Sequence, residues 1–249
     1  MIEKVQGIVL RTRDYGETNK IITLYTKEYG LISAVARGAK KTKSRMAAIT
    51  QPFIYGLFLT QIGKGLGTIH QGDILNSMRG IREDIIKTAY ASYMCELVAK
   101  MVNEKEPNSA LFDELNISLE RMLDDEPPEA ISIMFELKMY HIGGFAPVVH
   151  NCVNGHDDRP ITAFSVVDGG VVCDMCQSSS EYTIPLPAHA YKVLRQMSLT
   201  SIKRIRNISI KHDTLKLLRH ILDQYYERYG GMTIKSKRFL DQMHLLDHD

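Results

Sequence analysis

The chain has 249 residues, 44% hydrophobic and 24% charged, with a formal net charge of +2, enough length and apolar content for one large domain or two to three small ones. No run approaches the ~20 apolar residues of a membrane span, and Met1-Ile2-Glu3-Lys4-Val5 lacks the apolar core of a signal peptide, so a cytoplasmic globular protein is expected. Charge is unevenly placed: residues 1–82 carry 13 Lys and Arg against 5 Asp and Glu, and residues 83–249 carry 18 against 24. A basic module followed by an acidic one points to a polyanion bound at the front.

Residues 5–77 read as five short strands divided by turn chemistry, with no helix-length apolar period. They are Val5–Arg11, Lys20–Thr26, Leu31–Ala36, Phe53–Thr60 and Thr68–Leu75, with Asp14-Tyr15-Gly16-Glu17 turning between the first two. Glycines inside the first and fourth strands suit the bends of a small barrel of the OB type; an SH3-like barrel or an open five-stranded sheet fits the same pattern. Between strands three and four, Ala36-Arg37-Gly38-Ala39-Lys40-Lys41-Thr42-Lys43-Ser44-Arg45 packs five cations around one glycine, the composition of a phosphate-binding loop.

From Arg82 the period becomes 3.6. Ile85, Ile86, Ala89, Tyr90, Tyr93, Met94 and Leu97 mark the face of one helix, and Leu111, Leu115, Leu119 and Met122 a second. Asp124-Asp125-Glu126-Pro127-Pro128 breaks and restarts the helix, and a third closes at Gly143-Gly144. A polar, loop-rich insert follows, then helices near Tyr191–Met197, Asp213–Tyr229 and Ser236–His244. The expected architecture is α+β and multidomain: an OB-type barrel (1–80), then an all-α domain in two parts (81–147 and 183–249) interrupted by a small zinc-ribbon-like insert (148–182).

Cys173-Asp174-Met175-Cys176 has the spacing that turns two thiolates toward one tetrahedral ion. The other half-site is incomplete: Cys152-Val153-Asn154-Gly155-His156 has Gly155 where a fourth cysteine is expected. His156, one residue later, completes a Cys152, His156, Cys173, Cys176 set suited to structural zinc, with His150 and Asp157 the weaker substitutes. Cys95 lies in an apolar helical pattern and reads as core.

The sequence carries none of the common catalytic signatures. No His-x-Glu accompanies the Cys-x-x-Cys as a zinc deaminase requires, and Gly63-Lys64-Gly65 lacks the Ser or Thr of a P-loop. A nucleophile elbow and a His-Glu-x-x-His are also missing, so a non-enzymatic protein is expected.

Gly7-Ile8-Val9-Leu10-Arg11, Tyr15-Gly16-Glu17, Asn19-Lys20-Ile21, Ala36-Arg37-Gly38 and Gln51-Pro52 together resemble the N-terminal domain of the RecO family of bacterial recombination mediators. The late Cys-x-x-Cys and Lys235-Ser236-Lys237-Arg238-Phe239-Leu240 extend the resemblance over nearly the full length, and Gly155 departs from it. The resemblance implies a DNA-repair protein that binds single- and double-stranded DNA, anneals strands coated by single-strand-binding protein and, with RecR, promotes RecA loading. Residues placed to meet DNA are Arg11, Arg13, Lys20, Arg37, Lys40, Lys41, Lys43 and Arg45 for phosphates and Tyr15 and Tyr25 for stacking. Lys203, Arg204, Arg206, Lys211, Lys216 and Arg219 form a basic patch, which the resemblance assigns to the acidic, apolar-tipped tail of single-strand-binding protein. The alternative reading is an OB-fold RNA or tRNA binder with a helical zinc-ribbon appendage.

Overall fold

The computed structural model describes residues 2–63, 65–124 and 126–246. Lys64 of the glycine-rich turn, Asp125 of the helix break and residues 247–249 of the last predicted domain lie outside them.

Five strands close into a barrel: β1 (Ile2–Tyr15), β2 (Asn19–Thr26), β3 (Gly30–Ala36), β4 (Tyr55–Gln61) and β5 (Gly67–Asn76), in the order β1-β2-β3-β5-β4. All pairs are antiparallel except β3 with β5, which join in parallel at Ala34–Ala36 and Gly67–Ile69. Strand β1 is long enough to serve two neighbours, its first half pairing with β4 and its second with β2. The strand bends where Gly7 and Gly56 face each other across the pair. A Cβ at Gly56 would stand 2.7 Å from the Asp73 carbonyl, and at either glycine 3.3 Å from the Phe58 ring. Closure thus depends on two missing side chains.

Inside, Val5, Val9, Ile22, Leu24, Ile32, Ala34, Ile54, Phe58 and Ile69 form the core. Ile49 joins them from α1 (Arg45–Ile49), a one-turn helix lying between β3 and β4. The sequence reading has no helix there: five residues carry no period, and the only local sign is Ser44, which caps the turn by accepting from the Met46 N–H. β4 begins two residues later than expected because Phe53 sits at φ 70, outside extended geometry.

Helix α2 (Arg79–Glu83) leads into α3 (Ile85–Met101), and α4 (Ser109–Leu123) follows. Asp84 and Asn108 cap α3 and α4. Leu111, Leu115, Leu119 and Met122 are buried as the period requires. Ile85 and Ile86 are exposed instead, since the packed face of α3 starts a turn later, at Ala89. Pro128 opens α5 (Pro128–Ile142).

The insert is more regular than expected. β6 (Ile161–Ser165) is flanked by β7 (Gly170–Cys173) and β8 (Thr183–Pro185) in a three-stranded antiparallel sheet, with the single turn α6 (Asp174–Gln177) after β7. Strands of three to five residues leave too little alternation to read. Helices α7 (Ala188–Leu199), α8 (His212–Tyr229) and α9 (Lys235–Leu246) complete the chain.

Two compact units result, Met1–Pro128 with Ile234–Asp249, and Glu129–Thr233. This division cuts across the expected all-α domain, because α3, α4 and α9 belong with the barrel. Glu96 on α3 clasps the start of α9, accepting from the Lys235 N–H (3.1 Å), the Ser236 N–H (2.8 Å) and the Ser236 hydroxyl (2.6 Å).

Candidate nucleic-acid interface and metal centre

Beyond β3 the basic loop is pinned to the β1–β2 turn. Gly38 turns at φ 68 and donates its N–H to Asn19 Oδ1 (3.0 Å), and the Lys40 N–H reaches the Thr18 carbonyl (2.9 Å). The Lys40 ammonium pairs with Asp14 (2.8 Å), and that hydrogen bond holds the Asp14 carboxyl below its usual range. Asp14 and Asn19 are therefore positioning residues that sequence reasoning did not single out as such. Their signal was the polar turn itself, which sets Asn19 within reach of the Gly38 backbone and Asp14 within reach of the Lys40 ammonium. In OB folds the β1–β2 loop borders the oligonucleotide-binding surface.

Arg37, Lys40, Lys41, Lys43 and Arg45 are all exposed, and Lys20 is half-buried opposite Asp14. Arg11 and Arg13 point outward from β1, two residues apart on one face, with Arg11 Nε donating to Thr23 Oγ1 (3.2 Å). Tyr15 is 50% exposed at the end of β1. Tyr25 is 0% exposed: its ring centroid lies 6.0 Å from that of Phe112 on α4 and its hydroxyl donates to the Asn108 carbonyl (3.2 Å). Burial pushes its pKa up to about 12. Tyr25 packs the barrel against a helix and presents no face to a base, which corrects the expectation of stacking.

In the other unit the Sγ atoms of Cys152, Cys173 and Cys176 and a ring nitrogen of His156 lie within 4.8 Å of one another. The imidazole Nδ1 is 3.5 Å from Cys173 Sγ and 3.3 Å from Cys176 Sγ. Cys173 ends β7 and stands at the N-cap of α6. Burial raises its pKa, but hydrogen bonds from the Cys176 and Met175 backbone and from His156 outweigh this and bring it down to about 7. At Cys176 a hydrogen bond from Asn154 lowers the pKa, while burial and the neighbouring thiols raise it further, for a net upward shift.

Gly155 adopts φ 80, and its N–H closes a turn onto the Cys152 carbonyl (2.9 Å). The left-handed residue stands where a ligand was expected, and the longer imidazole reaches the cluster from the next position. Three thiols and one imidazole at this spacing can hold a tetrahedral metal ion. His150 and Asp157 are exposed and lie outside the set, Asp157 being engaged by Asn151 (2.9 Å).

Lys203, Arg204, Arg206, Lys211 and Lys216 are exposed. Arg219 is not: it is 8% exposed, and its guanidinium bonds the fully buried Glu136 of α5 (2.6 Å) and Asp223 (3.4 Å). It ties α8 to α5 and does not belong to an open patch.

Among the described residues no helix is long and apolar enough to cross a membrane. Residues 1–78 match the family described as Recombination protein O N terminal, and residues 82–238 match Recombination protein O C terminal. The chain is 45% identical over 248 residues to the DNA repair protein RecO of Bacillus subtilis (strain 168), covering 100% of this chain and 97% of that one. It is 44% identical over 243 residues to the DNA repair protein RecO of Bacillus mycoides (strain KBAB4), with 98% of each covered. With the RecO of Oceanobacillus iheyensis the identity is 43% over 243 residues, 98% of this chain and 94% of the relative. A barrel, a helical region and a Cys3His cluster carried on a chain that matches throughout place it in the RecO family.

Proposed function

We propose that this chain is a non-enzymatic DNA-repair mediator that binds single- and double-stranded DNA and anneals complementary strands. In this reading it also acts on strands coated by single-strand-binding protein and, with RecR, promotes RecA loading in the cytoplasm at the nucleoid. The observation that carries it is the exposed basic loop fixed against the β1–β2 turn of a closed OB-type barrel.

Arg37, Lys41, Lys43 and Arg45 are the principal phosphate contacts, with Lys20, Arg11 and Arg13 beside them, and Tyr15 offers a face for stacking. Lys40 divides its charge between DNA and Asp14. Neutralised phosphates release counterions, and two strands relieved of mutual repulsion pair through their own bases, so annealing calls for no ATP site. Zinc in the Cys152, His156, Cys173, Cys176 set would fold the insert, without chemistry of its own. The exposed cations Lys203, Arg204, Arg206, Lys211 and Lys216 are the surface for the acidic tail of single-strand-binding protein.

The test is a titration of a fluorescent oligonucleotide at several salt concentrations without nucleotide, then with its complement. Wild type should bind and anneal, and replacing Arg37, Lys41, Lys43 and Arg45 with Ala should lower the salt slope by about 3 for single strands, at ~0.7 per lost phosphate contact. An unchanged slope removes the loop from the interface. RNA competing strongly against DNA of equal length would favour an RNA-binding role.

A further inference from the structure

The barrel unit holds a second cationic feature that shares no residue with the basic loop. A cleft of about 780 Å³ runs along β1, α2, α3 and the start of α9. Four cations line it from four separate elements: Arg11, Arg82, Lys100 and Lys235.

Among the described residues one carboxylate, Glu96, lines the cleft, and it is already bonded to three donors at the α9 N-terminus. The two arginines are held by neutral acceptors. Arg82 donates to the Pro52 carbonyl (3.0 Å) and the Ser77 carbonyl (2.6 Å), and Arg11 to the Thr23 hydroxyl. These bonds aim the guanidinium groups without cancelling their charge, and the partial burial of Arg82 disfavours its cation. An arriving anion relieves that cost.

Thr12, Ser92 and Ser236 add hydroxyls to the lining. Leu10, Pro52, Phe53 and Ala99 also line it, with Leu10 and Phe53 themselves buried. Arginine, lysine and hydroxyl groups are the contacts proteins make to phosphate oxygens.

We propose that this cleft is a second strand-binding site, holding the phosphate backbone of one DNA strand while the basic loop holds the other. The inference rests on the annealing function above and gives it a physical route: one chain brings two backbones together on two cationic surfaces that meet at Arg11, leaving the bases of both to pair.

The experiment uses the full chain and two non-complementary oligonucleotides carrying donor and acceptor dyes. Wild type should bind the first, then admit the second with rising energy transfer. The variant Lys100→Glu with Lys235→Glu changes two exposed side chains, and its thermal melt confirms the fold. It should weaken second-strand capture at least tenfold and slow annealing of complementary strands, with first-strand affinity changed less than twofold. The neutral pair Lys100→Gln with Lys235→Gln should fall between. Loss of first-strand binding by the basic-loop variant, with the cleft still binding, gives the converse. Unaltered second-strand capture and annealing in the Glu variant overturn the proposal, as does loss of poly-glutamate binding alone, which would make the cleft a site for acidic peptide. If wild type binds no DNA at all, the annealing function itself fails.

Discussion

Arg219 and Tyr25 show how far a residue type can be read without its surroundings. Arg219 sits in a run of cations and Tyr25 on a strand of the expected DNA-binding barrel, and both are buried because an element distant in sequence covers them. Alternation fixes which way a side chain points, but it carries no information about what packs there. Removing Glu136 or Arg219 singly should cost about 3–5 kcal/mol in denaturant unfolding, since either change strands a buried charge; replacing both with apolar residues of similar size should cost far less. His156 was legible because it stands one residue beyond the position where Cys-x-x-Cys spacing expects the missing ligand. His156→Ala should abolish stoichiometric zinc uptake, followed with a chromophoric chelator. Zinc binding displaces protons from thiols, so uptake should strengthen as pH rises through about 7, where Cys173 ionises.

At the scale of elements, the five barrel strands were readable because β-branched runs alternate with glycine-marked turns. The one-turn α1 and the short strands β6 to β8 carry no such period. Helix α9 was visible as a helix, but its place on α3 was not, because the clasp joins Glu96 to Ser236 across 140 residues. Burial pushes the Glu96 pKa up, but hydrogen bonds from Ser236 and Lys235 and the charge of Lys100 outweigh it and hold the carboxyl below its usual value. A lowered folded-state pKa means that the stabilisation is fully present above the unfolded value of ~4.3 and fades as pH falls through the lower folded value. Glu96→Ala should cost about 1 kcal/mol, as loss of a helix cap does, and hydrogen exchange should quicken across residues 235–240 at neutral pH while the α4 amides stay protected.

For the whole molecule, the division of charge does not follow the division into units. Residues 83–128 carry 4 Lys and Arg against 11 Asp and Glu, yet they belong to the same compact unit as the basic barrel. Lys27, in the turn after β2, pairs with Asp113 of α4 (2.9 Å), one point where the two signs meet. The expected basic module followed by an acidic one is instead a single unit with a cationic part and an anionic part. Deleting residues 234–249 should lower the melting temperature of the barrel unit and open it to limited proteolysis, while zinc uptake in Glu129–Thr233 persists. An unaffected barrel would place α9 outside its folding unit.

The return of the chain to its first unit also bears on synthesis. At roughly 5–20 residues per second, α9 leaves the ribosome roughly five to twenty seconds after Pro128. Until then the nascent barrel unit has no partner for the α3 surface that α9 covers, although everything from Glu129 to Thr233 is already available to fold. The metal-bearing unit is thus the first that can reach its finished state, reversing the usual head-first order, and the DNA-facing unit is completed last.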